Sequence, residues 1–174
     1  MVQASLGNSP WTVFAQGLSR QLSISIGLAT IVVSFGVLLA WVPLRQRPGL
    51  GTIANAVVIG LAIDATLDLV SDTGALAIRA GELLIGIGLV GLGSGLYLGT
   101  ALGPGPRDGL MTGLHRQSGL PVGAVRVAIE LSALAAGWGL GGEVGIGTVA
   151  FAVLIGPLVA AALRALSVTP AREL

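Results

Sequence analysis

Five stretches of about 20 residues, each almost wholly apolar, follow one another along this chain, and no other feature restricts its fold so strongly. They run from Ser25 to Leu44, Leu50 to Val70, Leu83 to Leu102, Val122 to Leu140 and Val144 to Leu163. In hydrocarbon a backbone amide or carbonyl has no water to bond, so each stretch must close its own hydrogen bonds as a helix. The expectation is an all-α, polytopic transmembrane bundle of five spans, a single membrane domain over residues 1–174. Composition agrees: 53% hydrophobic, 10% charged and a mean hydropathy of +0.92 leave too little charge to cover a soluble domain. The first 12 residues, MVQASLGNSPWT, lack both the basic and the apolar region of a signal peptide, so targeting falls to the first span.

The chain also repeats itself. A shift of 96 positions aligns residues 7–70 with 103–166 without a gap, and 20 of those 64 pairs are identical. Bias toward small apolar residues does not supply Pro10 over Pro106, Gly17-Leu18-x-Arg20-Gln21 over Gly113-Leu114-x-Arg116-Gln117, or Gly49-x-Gly51-Thr52 over Gly145-x-Gly147-Thr148. Such self-similarity reads as an internal duplication. Three spans separate equivalent positions, so the copies are expected upside down with respect to each other. The span 83–102 belongs to the second copy, and the stretch VQASLG stands where the first copy's counterpart would be. The full design is three plus three, with a first helix lost or left out by the choice of start site.

Arginine placement orients the bundle. Alternate loops collect Arg45, Arg47, Arg107, Arg116, Arg164 and Arg172 on one side, and Arg20 and Arg79 on the other. By the positive-inside rule the first side, with the C-terminus, is cytoplasmic.

The strings SPWTVFAQGLSRQ, PLRQRPGLGTIANAVVIG, GSGLYLGTALGPGPRDGLM and VRVAIELSALAAGWGLGGEVGIGTVAFAVLIGPLV span nearly the whole chain. In these it resembles the bacterial YczE-like membrane proteins, related in pattern to the YitT-like family. The resemblance implies a multi-pass protein of the bacterial inner membrane and supplies no substrate. Two departures stand out: the full first helix of the family is absent, and Thr12 occupies a position that is often acidic, whereas Asp108 is present in the second copy.

Charge inside the spans marks candidate sites. Arg126 and Glu130 lie four residues apart on one helical face, where each unpaired charge would cost about 2.5–3.5 kcal/mol. They are either a structural ion pair or a solute or proton site. On the second span Thr52, Ala56, Gly60, Asp64 and Asp68 form a four-spaced stripe; the small residues read as helix contacts, and Asp64 as a partner for Arg126 or a site of its own. Gly91, Gly95, Gly99 and Gly103 make a second contact stripe.

The segment from Pro106 to Gln117, with Asp108 behind the proline and Arg116 near its end, reads as a loop, an interfacial helix or a re-entrant piece lining a cavity. His115 has no second histidine or cysteine to share a metal. Arg47 with Gly49, Gly51 and Thr52, and its counterpart Gly145, Gly147 and Thr148, opens the last helix of each copy. A tight hairpin accounts for that string better than an anion loop, because no phosphate-binding context surrounds it.

The partners implied are the lipid bilayer, a small solute or ion, and a second copy or another membrane protein. A net charge of +1 leaves no footprint for nucleic acid. No cofactor motif, metal cluster or nucleophile–base pair supports an enzyme. The leading expectation is a transporter or channel component with Arg126, Glu130 and Asp64 as its polar centre. The alternative is an accessory or scaffold protein acting through a protein partner.

Overall fold

The computed structural model describes residues 2, 4, 6–69, 75–98 and 103–165, and all regular structure among them is helical. Seven helices follow in order: α1 (Pro10–Leu22), α2 (Ile26–Trp41), α3 (Leu50–Leu69), α4 (Leu76–Leu98), α5 (Pro106–Ser118), α6 (Val122–Gly139) and α7 (Ile146–Ala165). Helices α3, α4, α6 and α7 are long and apolar enough to cross a bilayer, and α1 with α2 makes a fifth candidate as one broken span. Val70, Ser71, Gly99, Leu102, Leu166 and Arg172 lie outside the described residues.

Two expected spans are corrected. The first, Ser25–Leu44, holds a helix of only 16 residues. Its start is fixed by the Ser25 hydroxyl, which accepts from Leu28 N at 3.1 Å, and just past its end Pro43 has no N–H to donate back along the helix. It reaches spanning length only with α1, which meets it at a bend of 111°. The third, expected without charge from Leu83, begins about two turns earlier, at Leu76, and carries Arg79 and Glu82. A 23-residue helix is about 35 Å long, more than the apolar core needs, so its first turns are free to lie at headgroup depth. Arg79 Nε is satisfied there by Ala4 O at 2.6 Å.

The chain forms two compact units. In one, α4 lies along α7 and the N-terminal stretch crosses the start of α7, around a core of Ala4, Leu83 and Ile87. Gly91 faces Leu158, and a Cβ on Gly95 would lie 2.5 Å from that of Ala162. Gly103 leaves the glycine stripe: it belongs to the other unit, where its φ of +110° places it in a turn facing Gly49 and Thr52 of that same unit. Gly95→Leu should therefore lower the yield of folded protein severely, while Leu96→Ala, at a position 56% exposed, should change it little. Equal yields in a detergent-extraction assay would remove the contact.

The other unit packs α1, α2, α3, α5 and α6 around Trp11, Val33, Val37, Trp41 and Ala133. Trp41 is the largest wholly buried side chain, and its Nε1 donates to Pro106 O at 2.9 Å. Seven of the 13 residues of α1 are buried, on nearly every side, so α1 is enclosed by protein rather than lying on a headgroup layer. Helix α5 likewise buries Pro106, Gly109 and Gly113 against α2 and ends at the left-handed Gly119. Arg20 and Gln21, at the end of α1, bond Gly141 O and Leu140 O at the end of α6. Leu44 and Gln46, just past α2, lie against Gly113, in the second half of α5.

Local geometry recurs at a fixed interval. Helix α5 starts and ends 96 positions after α1, and α7 starts and ends 96 after α3. Every left-handed residue described falls into a pair at that spacing: Gly7 and Gly103, Ser23 and Gly119, Arg45 and Gly141. The turn that closes α2, with Gln46 N on Trp41 O at 3.1 Å, has its counterpart in Gly142 N on Gly137 O at 2.8 Å.

Candidate functional site

Asp64 is the fifteenth residue of the 20-residue α3, on the stripe whose smaller members Thr52, Ala56 and Gly60 are that helix's buried residues. Glycines set how close α2 can come: a Cβ on Gly60 would strike Ile31 and the carbonyl of Gly27, and one on Gly27 would strike Gly60 and the Asp64 carboxyl. The close approach brings the carboxylate to the first turn of α2. Its Oδ1 accepts from Gly27 N at 2.7 Å and its Oδ2 from Ser25 Oγ at 2.6 Å. The first amides of a helix have no partner within it and carry partial positive charge. Asp64 thus caps, from a neighbouring helix, the point where α1 and α2 break.

Arg126 and Glu130 meet as expected, Nε to Oε1 at 3.0 Å, one and two turns into α6. The side chains are 51% and 30% exposed, so the pair lies on an outer face of its unit. Among the described residues no ion pair or hydrogen bond joins Arg126 or Glu130 to Asp64. Ser25 and Gly27 complete the Asp64 site instead. Sequence reasoning missed both because a backbone amide has no identity in a sequence; the serine before an apolar run was the one available signal.

The Gly-x-Gly-Thr strings are points where chain segments cross. Gly49 N donates to Thr52 Oγ1 at 3.1 Å, and the wholly buried Thr52 passes its own proton to Pro104 O at 2.7 Å. At α7, Gly145 N donates to Thr148 Oγ1 at 3.3 Å and Gly147 N to Leu6 O at 2.7 Å. A Cβ on Gly7 would lie 2.5 Å from Gly145 N, so only glycine permits the crossing. The amides of Gly49, Gly145 and Gly147, which could have faced an anion, are bonded to the chain itself. Gly51 is half-buried in the first turn of α3, and Arg47 is exposed just before it.

On α5, Pro106 and Asp108 occupy the first turn and Arg116, exposed, the last. Arg107 is half-buried within the unit, its Cζ 5.0 Å from the centre of the Trp11 ring, and so does not belong to a loop. His115 Nδ1 lies 2.6 Å from Leu120 O, and because a carbonyl only accepts, the ring donates. Ser19, 96 positions earlier, makes the same bond to Ile24 O at 2.6 Å. The chain's single histidine is thereby accounted for as a helix-end cap. Among the described residues no three His, Cys, Asp or Glu side chains are grouped to hold a metal.

Apolar helices of spanning length, close glycine contacts and an internally capped helix break define an integral membrane protein of the polytopic α-helical class. The chain belongs to the family of unknown function DUF6198, which matches residues 1–164. It is 44% identical over 159 residues to an uncharacterized protein of Haemophilus influenzae, covering 91% of this chain and 73% of that one. It is 34% identical over 157 residues to the uncharacterized membrane protein YczE of Bacillus subtilis, covering 87% and 71%. The uncharacterized protein YyaS of the same organism is 32% identical over 113 residues, 63% of this chain and 56% of its own length. No solved structure matches.

Proposed function

We propose that this protein acts as, or within, a transport pathway for a small solute or ion, and that it is built from two copies of one motif inserted in opposite directions, with its C-terminus in the bacterial cytoplasm. The observation that carries the reading is the broken helix: α1 and α2 part at 111°, and a carboxylate from within α3 holds the freed amide of Gly27 and the Ser25 hydroxyl. Interrupted helices of this kind, in antiparallel copies, are how membrane proteins place polar backbone at depth without exposing it to lipid.

The recurrence at 96 residues supports the duplication. Trp11 and Arg107 occupy equivalent positions and touch each other, which is what a local two-fold axis passing between α1 and α5 requires. The reading is non-enzymatic, with no cofactor, and places the polar centre at Asp64 with Ser25 and Gly27. Arg126 and Glu130 stand apart from that centre.

A thermal-shift screen of the purified protein against small solutes and ions tests the proposal. At least one compound should raise the melting temperature, and Asp64→Asn should abolish that response while the protein remains folded. A response that survives the substitution removes Asp64 from the site, and a screen without response argues against a solute pathway. The accessory reading rests on the exposed Arg126–Glu130 pair, a polar feature on an apolar helix that a partner helix would cover. It expects a co-purifying membrane protein lost in Arg126→Met with Glu130→Gln.

A further inference from the structure

We infer that one end of the five-helix unit, formed by residues 41–52 and 113–121, binds the phosphate of an anionic phospholipid headgroup. Gln46 and Leu44 each approach to 3.0 Å the position a Cβ would take on Gly113, which sets the turn after α2 against the second half of α5. Arg45 and Arg47 flank Gln46, and Arg116 follows Gly113 by one helical turn, so three exposed arginines share this end. No aspartate or glutamate occurs in residues 41–52 or 113–125; Asp108 lies in the first turn of α5, and Glu130 is paired with Arg126 within α6.

The excess charge is not a property of the repeated motif. The positions 96 residues after Arg45 and Arg47 are Gly141 and Glu143, so at these two positions the repeat is cationic in one copy only. Apolar side chains ring the three arginines: Leu39 is 72% exposed, Val42 74%, Leu50 86% and Leu120 54%. A soluble phosphate would leave those four in water, whereas a lipid covers them with its acyl chains as its phosphate meets the arginines. Guanidinium groups suit this task through their fork of donors. The same charge bias places this end at the cytoplasmic leaflet, where anionic lipid is found.

Native mass spectrometry of the detergent-purified full chain, given equimolar phosphatidylglycerol and phosphatidylcholine, tests the site. Phosphatidylglycerol should be retained in preference by roughly tenfold, as expected for several arginines near one phosphate. Arg45→Gly with Arg47→Gln should reduce the preference to near parity. Glycine suits position 45, where φ is +54° and the counterpart is already Gly141, so melting without lipid should be unchanged. If that double variant does not fold, Arg47→Gln alone should cut the preference several-fold. Equal retention of the two lipids by the wild type, or a preference unaffected in the folded variants, would overturn the inference. So would inorganic phosphate that displaces phosphatidylglycerol at equal concentration, since the acyl chains would then contribute nothing.

Discussion

Gly27→Val is expected to leave no folded protein. A side chain there would overlap the carbonyl oxygen of Gly60 and the carboxyl group of Asp64 at once. The first obstacle is backbone on a 20-residue helix, which does not swing aside as a flexible side chain would. Parting α2 from α3 would also break both hydrogen bonds that Asp64 makes across the contact. Overpacking in compliant sites costs about 1–3 kcal/mol, and this site is not compliant, so the loss should exceed that range. Gly36→Val supplies the control, because nothing lies within 4 Å of a Cβ built there on the same helix. Size-exclusion chromatography in detergent should give a monodisperse peak for the second variant and aggregate for the first.

Asp64→Ala should come next. It deletes two hydrogen bonds to a charged acceptor, each worth about 1.5–3 kcal/mol, and leaves Gly27 N–H without its partner where α1 and α2 separate. Asp64→Asn should be markedly milder, because the amide oxygen still accepts from Gly27 and the Ser25 hydroxyl can turn to accept from the amide nitrogen. Ser25→Ala should fall between them, since that hydroxyl both serves Asp64 and accepts from Leu28 N at 3.1 Å. The Asp64→Asn and Arg126→Met effects should add within about 0.5 kcal/mol, as expected of residues that share no partner. Strong coupling in a double-mutant cycle would restore the single polar centre that the sequence suggested.

How much of this was legible depended on the kind of signal involved. Spans α3, α6 and α7 were readable because continuous apolar sequence is itself the condition for crossing hydrocarbon. Helix α1 was hidden: Gln16, Ser19 and Arg20 break its apolar run, and it is buried by protein rather than by lipid, so hydropathy does not report it. The glycine stripe gave the α4–α7 contact correctly at Gly91 and Gly95, yet spacing alone carried it on to Gly103, whose role is a left-handed turn. The turns themselves show the same limit. Gly7, Gly119 and Gly141 announce their backbone, while Ser23 and Arg45 adopt the left-handed conformation without the residue that normally signals it. Asp64 was singled out because charge in a span is rare, but its partners are a hydroxyl and a peptide amide, to which no charge pattern points.

Cysteine accessibility at Leu22 and Ser118 tests the opposed insertion of the two copies most directly. The chain has no cysteine of its own, the two residues end α1 and α5, both are exposed, and they stand 96 positions apart. In intact bacterial cells a membrane-impermeant thiol reagent should label Leu22→Cys from outside and should reach Ser118→Cys only after the membrane is opened. Labelling of both positions from the same side would contradict the account.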